Sequence, residues 1–139
     1  MSRPTGIADF AGRWHLSRRI DDQISGQAIT GEGAAVVSSV QSSYRYDEEL
    51  TLQTAGQRPM AAHRRYVWRP SACGIAIWFE NGRFFHDLKL SETHPKAHHD
   101  CAPDIYDVAY DFSAWPVWSA TWTVAGPRKN YVMHTAYRR

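Results

Sequence analysis

The sequence predicts an all-β fold: one up-and-down antiparallel β-barrel of eight or nine strands spanning residues 1–139, with a short helical turn near the N-terminus. Three observations carry this. Apolar and polar residues alternate with period two over most of the chain. Clusters of turn-forming residues interrupt the alternation at short intervals. No segment sustains a helical period beyond the turn expected at residues 6–11.

The elements follow in order. "WHLSRRID" places Trp14, Leu16, Arg18 and Ile20 on one face, with His15, Ser17, Arg19 and Asp21 opposite. Residues 24–40 are extended, and Gly31 and Gly33 predict a bulge or sharp bend within them. "YRYDEELTL" aligns Tyr44, Tyr46, Glu48, Leu50 and Leu52, and "RRYVWR" aligns Arg64, Tyr66 and Trp68. "IAIWF" and "FFHDLKL" are joined by "ENGR", where Asn81-Gly82 predicts a type I′ hairpin turn. In the second of these runs Phe84, His86, Leu88 and Leu90 share the inner face. Three later runs align Tyr106, Val108, Tyr110 and Phe112; then Trp118, Ala120, Trp122 and Val124; then Lys129, Tyr131, Met133, Thr135 and Tyr137. Short connections and one-sided apolar faces favour a barrel over a sandwich, and a barrel of this size holds packed side chains or one small ligand.

Composition narrows the function. The chain has 139 residues, 43% of them hydrophobic, with six Trp and seven Tyr, enough for a real core. The formal charge of +2 is small and its signs are interspersed, so no basic stripe points to nucleic acid. No apolar run reaches membrane-spanning length, and "MSRPTGIADFAGRW" lacks a signal-peptide core. The expectation is a cytoplasmic protein in which Cys73 and Cys101 are reduced thiols, with a homodimer left open.

"FAGRW", opening the first strand, resembles the Gly-x-Trp signature of the calycin superfamily, which includes lipocalins and fatty-acid-binding proteins. Here the motif is Gly12-Arg13-Trp14. The resemblance implies that Trp14 plugs one barrel end under an Arg from the last strands, Arg128 or Arg138. Over essentially its whole length the chain is also similar to an uncharacterised bacterial calycin-like family, a domain of unknown function. The motifs are "FxGxWxLxRxI", "RxYxW", "NGRxFHxL", "HxCxPDxYxVxYDF" and "WxVxGPRKxYxM". That resemblance implies a fold and no activity.

Polar residues that share a face with the aromatics point to a site. Arg18, Glu48, Arg64 and His86 all fall on the inner parity, and Lys129 joins them near an end. A buried charge must be paired, hydrated or met by a ligand. With Glu48 against Arg18 and Arg64, about one cation is left over, which suits a small molecule carrying a carboxylate or phosphate. In that reading Arg18, Arg64 and Lys129 clamp the anion and Glu48 orients one Arg. His86 is a hydrogen-bond partner, and Tyr46, Tyr66, Tyr110 and Trp122 form the walls. The competing reading is an internal Arg–Glu–Arg network with water.

"HPKAHHDC" gathers His94, His98, His99 and Cys101, with Asp100 and Asp104 close by. The spacing matches no zinc pattern, so no metal is assigned. Cys101 with His99 or His86 as base would make a hydrolase or isomerase in the same cavity, the enzyme alternative. The structural reading takes this stretch as an ordered loop at the barrel mouth. His134 invites comparison with haem-binding barrels, but its parity faces outward, and no cofactor is expected. A third reading, a protein-interaction face, rests on outward Trp78 and Phe85.

Overall fold

The computed structural model describes residues 2–139. A 3₁₀ turn at Ile7–Phe10 leads into ten strands: β1 (Gly12–Asp22), β2 (Ala28–Val40), β3 (Ser43–Thr54), β4 (Met60–Ser71), β5 (Gly74–Phe79), β6 (Phe84–Lys89), β7 (Lys96–Cys101), β8 (Asp104–Asp111), β9 (Trp118–Ala125) and β10 (Asn130–Arg138). The sheet order is β6-β5-β4-β3-β2-β1-β10-β9-β8-β7. All ladders are antiparallel, and β1 pairs with β10 from His15↔Arg138 to Asp22↔Tyr131. The meander therefore wraps into a nearly closed barrel whose free edges are β6 and β7. Among the described residues no helix is long and apolar enough to cross a membrane.

Ten strands stand where eight or nine were expected, because the "HHDC" stretch is a strand rather than a loop. β7 pairs with β8 from Lys96↔Ala109 to Cys101↔Asp104, with Ala97, His99 and Cys101 on its inner face. Its sequence hides this: the inner face has a single apolar residue, Ala97, so the alternation has almost no amplitude. The seam between β6 and β7 is crossed by side chains instead of a ladder. The His99 ring packs edge-on to Phe85 at 5.2 Å and Phe79 at 5.7 Å.

Gly33 allows β2 to bend tightly over β3. A Cβ there would lie 1.9 Å from the Glu49 carbonyl oxygen, and the register on both sides runs through without a bulge. The bulge falls in β6. Ile77 pairs with His86 while Trp78 pairs with Phe84, leaving Phe85 as the extra residue. Phe85 and His86 therefore both point inward, and Phe84, expected inside, is exposed. This also removes Phe85 from the proposed outer patch; Trp78 is half-buried under Arg69, whose guanidinium lies 4.9 Å above its ring. The β5–β6 connection is not type I′. Gly82 N–H donates to Phe79 C=O, and Gly82 has φ +89° while Asn81 is not left-handed. A type I turn followed by a Gly bulge fits these bonds.

One barrel end is sealed. Trp14, fully buried, donates from Nε1 to Phe10 C=O at 2.8 Å. Phe10 meets Trp68, Phe112, Trp115 and Trp118 edge-on at centroid distances from 5.0 to 5.9 Å. The Arg over Trp14 is Arg139 rather than Arg128 or Arg138. Its guanidinium lies 3.8 Å from the ring centroid and donates to the Ala11 and Asp9 carbonyls. Those two carbonyls belong to the turn that caps the barrel, so one side chain ties the last residue to the first strand.

Candidate functional site

Inside the barrel the inner faces of β1, β3 and β10 bring together a buried polar network. Arg18 on β1 donates from Nη1 and Nη2 to the two carboxylate oxygens of Glu48 at 2.5 and 3.0 Å, and from Nε to Thr135 Oγ1 at 2.8 Å. Arg18 reaches Glu48 across β2 because Gly31 and Gly33 put no side chain between them. Tyr46 Oη also donates to Glu48, at 2.6 Å, and lies 2.7 Å from Tyr137 Oη. Every polar atom of this pair is thus satisfied, the condition under which a buried ion pair is tolerated. Burial disfavours the Arg18 charge, but the hydrogen bonds and negative charge of Glu48 outweigh it and raise the pKa. Burial likewise pushes up Tyr46, Tyr110 and Tyr137, so the phenols stay neutral.

On the opposite wall His86 Nε2 lies 2.8 Å from Tyr110 Oη, and its Nδ1 has no partner. Burial, assisted by repulsion from His99, lowers its pKa to about 3, so His86 is a neutral imidazole.

These groups line an inner chamber of about 30 Å³, room for roughly two waters. The rest of the lumen is filled by side chains. An outer chamber of about 610 Å³ opens at the end opposite Trp14. The two share Arg64, Tyr66, Phe85, Trp122 and Met133, which form the partition between them.

The structure divides the predicted site residues between these chambers. Arg18, Glu48, His86, Tyr46 and Tyr110 are buried around the inner one. Tyr66 and Trp122 stand in the partition, and Lys129 lies in the outer chamber. Arg64 corrects the expectation of an Arg–Glu–Arg network. It is exposed at the partition, and its one polar contact is a long 3.4 Å bond from Nη1 to Tyr66 Oη. Glu48 sits directly across the β3–β4 ladder from Arg64, but its oxygens are taken by Arg18 and Tyr46. Lys129 is likewise no free clamp: its Nζ is 3.2 Å from Asp104 and 3.3 Å from Tyr106 Oη, which raises its pKa. Arg65 pairs with Asp47 and Glu80, and His63 with Asp47. Among the described residues Arg64 is therefore the cation at the mouth without a carboxylate within 4.0 Å.

Sequence parity missed Phe85, which β6's bulge turns inward; Phe79 and Tyr131, the latter already aligned with Lys129 and Met133, line the outer chamber with it but were not among the expected site residues.

The β7 residues do not converge on a centre. His99 and Cys101 share a face, but no hydrogen bond joins them, and His98 is held outside by Asp100 at 2.9 Å and Asp107 at 2.6 Å. His94 faces Asp111 at 3.3 Å. Among the described residues no three His, Cys, Asp or Glu side chains gather as a metal site. Cys73 and Cys101 are both free thiols. His134 is exposed, with Nδ1 2.9 Å from Thr121 Oγ1.

Comparison with known proteins places the fold. The sequence model of a family described as "Family of unknown function (DUF6314)" matches residues 10–139. No curated protein matches the chain. Among solved structures, the S-type phycobiliprotein lyase CPES from Guillardia theta is similar, with a TM-score of 0.58 at 7% identity, over 94% of this chain and 86% of that one. The likeness is one of fold alone.

Proposed function

The chain belongs to the DUF6314 family of unknown function, and from its geometry we propose that it is a small-molecule binding protein. The outer chamber takes a flat, largely apolar molecule bearing an anionic group. The observation that carries this reading is Arg64. The barrel engages its inner carboxylate, Glu48, with Arg18 and leaves a guanidinium without a carboxylate partner beside a chamber of about 610 Å³ whose lining mixes aromatic and charged side chains. A guanidinium with free N–H donors is a ready partner for an anion, and aromatic walls suit a flat body. Tyr66, Phe85 and Trp122 at the partition, with Tyr106 and Tyr131 outside it, supply those walls.

Native mass spectrometry of freshly purified protein, paired with a thermal-shift panel of aromatic anions, tests the reading. A co-purified small acid, or a panel member that raises Tm in the wild type and not in Arg64→Leu, is expected. If no panel anion stabilises the wild type, or Arg64→Leu responds equally, the chamber is not an anion site.

A further inference from the structure

Two buried N–H donors in the wall of the inner chamber have no acceptor: the indole Nε1 atoms of Trp68 and Trp118. Both residues are at most 4% exposed. An indole N–H can only donate, so whatever completes it must be an oxygen-type acceptor. The charge in the chamber has an equally definite sum. Arg18 and Glu48 cancel, His86 and the phenols are neutral, and Arg64 leaves a single positive charge at the partition. The two donors awaiting an acceptor and the one unpaired cation belong to residues that line the same small space.

We propose that the anionic group of the ligand is a monocarboxylate, bound head-first across the partition. One side lies against Arg64, one oxygen reaches into the inner chamber toward the indole N–H groups of Trp68 and Trp118, and the flat body stays outside. This deepens the binding function argued above and rests on it. A phosphomonoester fits poorly on both counts. Near neutral pH it carries between one and two negative charges, against one free cation beside the buried Glu48 carboxylate. Its three terminal oxygens also exceed a space of about 30 Å³. A neutral amide offers the acceptor but not the charge.

The test uses three probes of the same shape, 2-naphthoate, 2-naphthyl phosphate and 2-naphthamide, titrated into the full chain by calorimetry and by ¹⁵N–¹H NMR of the indole N–H groups. Trp68→Phe and Trp118→Phe assign the two resonances. Naphthoate is expected to bind roughly tenfold more tightly than either analogue, to move both resonances, and to lose roughly fivefold in affinity in Trp118→Phe. Neither indole N–H has a partner in the free protein, so neither variant sacrifices a native hydrogen bond. Phosphate binding equal to naphthoate overturns the carboxylate. Naphthoate binding that needs Arg64 but leaves both indoles unmoved overturns the inner seat while keeping the outer chamber. Failure of all three probes to bind overturns both readings.

Discussion

The two ends of this barrel are built from the same strands and similar aromatic side chains, yet one is sealed and the other open. At the sealed end hydrogen bonds within the protein tie the plug in place. Trp14 donates to Phe10, and Arg139 donates to Asp9 and Ala11 while covering the Trp14 ring. At the open end Arg64 touches only a phenol. The same contrast divides the two inward arginines: Arg18 is locked by three hydrogen bonds, and Arg64, across the β3–β4 ladder from Glu48, has none shorter than 3.4 Å. Paired charges build the scaffold, and the unpaired guanidinium marks where the scaffold meets something else.

If the sealed end is scaffold, damage there must be severe. Trp14→Ala removes a fully buried indole, its hydrogen bond and the Arg139 stack, and is expected to cost about 5 kcal/mol in urea unfolding. A loss below about 1 kcal/mol would mean that the plug is ornamental. Next in size, Glu48→Leu strands the Arg18 guanidinium in the barrel and is expected to cost about 4 kcal/mol. The double variant Arg18→Met/Glu48→Leu should recover most of that loss. Without such recovery, the cost lies in packing rather than in the orphaned charge.

A third effect sharpens the contrast through pH. His86 titrates at about 3 when folded, against an ordinary 6.5. Between those values the unfolded chain binds a proton that the folded chain refuses, so stability falls as pH falls through that window. From pH 7 to 5 the wild type should lose about 2 kcal/mol more than His86→Leu. Equal losses in both proteins would show that the imidazole reaches water, which the β6 bulge is built to prevent.

The alternation in β1, β3, β9 and β10 made those strands and their inner faces legible from sequence, because each carries several large apolar residues at period two. That Glu48 would meet an arginine was legible for the same reason: it is the carboxylate on the inner parity of these runs. Three features were not legible. β7 has too little apolar contrast to register as a strand. The β6 bulge exchanges Phe84 for Phe85 on the inner face, and a one-residue slip of that kind leaves no trace in a period-two pattern. The choice of Glu48 between two arginines depends on geometry. Across the sheet Arg64 is its direct ladder partner and Arg18 is two strands away, yet Gly31 and Gly33 clear the path to the more distant one.

The smallest expected effect separates the two ends most sharply. Arg64→Leu removes a charge with no carboxylate partner and one long contact to Tyr66, so unfolding free energy should change by less than about 0.5 kcal/mol. Leu adds apolar cover beside Phe85 and Trp122 without removing any strong bond. Ligand binding in the thermal-shift panel should disappear in the same variant. Stability and binding would then come apart at one side chain, which is what a residue kept for recognition does and a scaffold residue cannot. If Arg64→Leu unfolds with a loss comparable to that of Glu48→Leu, the guanidinium belongs to the structural network after all, and the mouth loses its distinction from the plug.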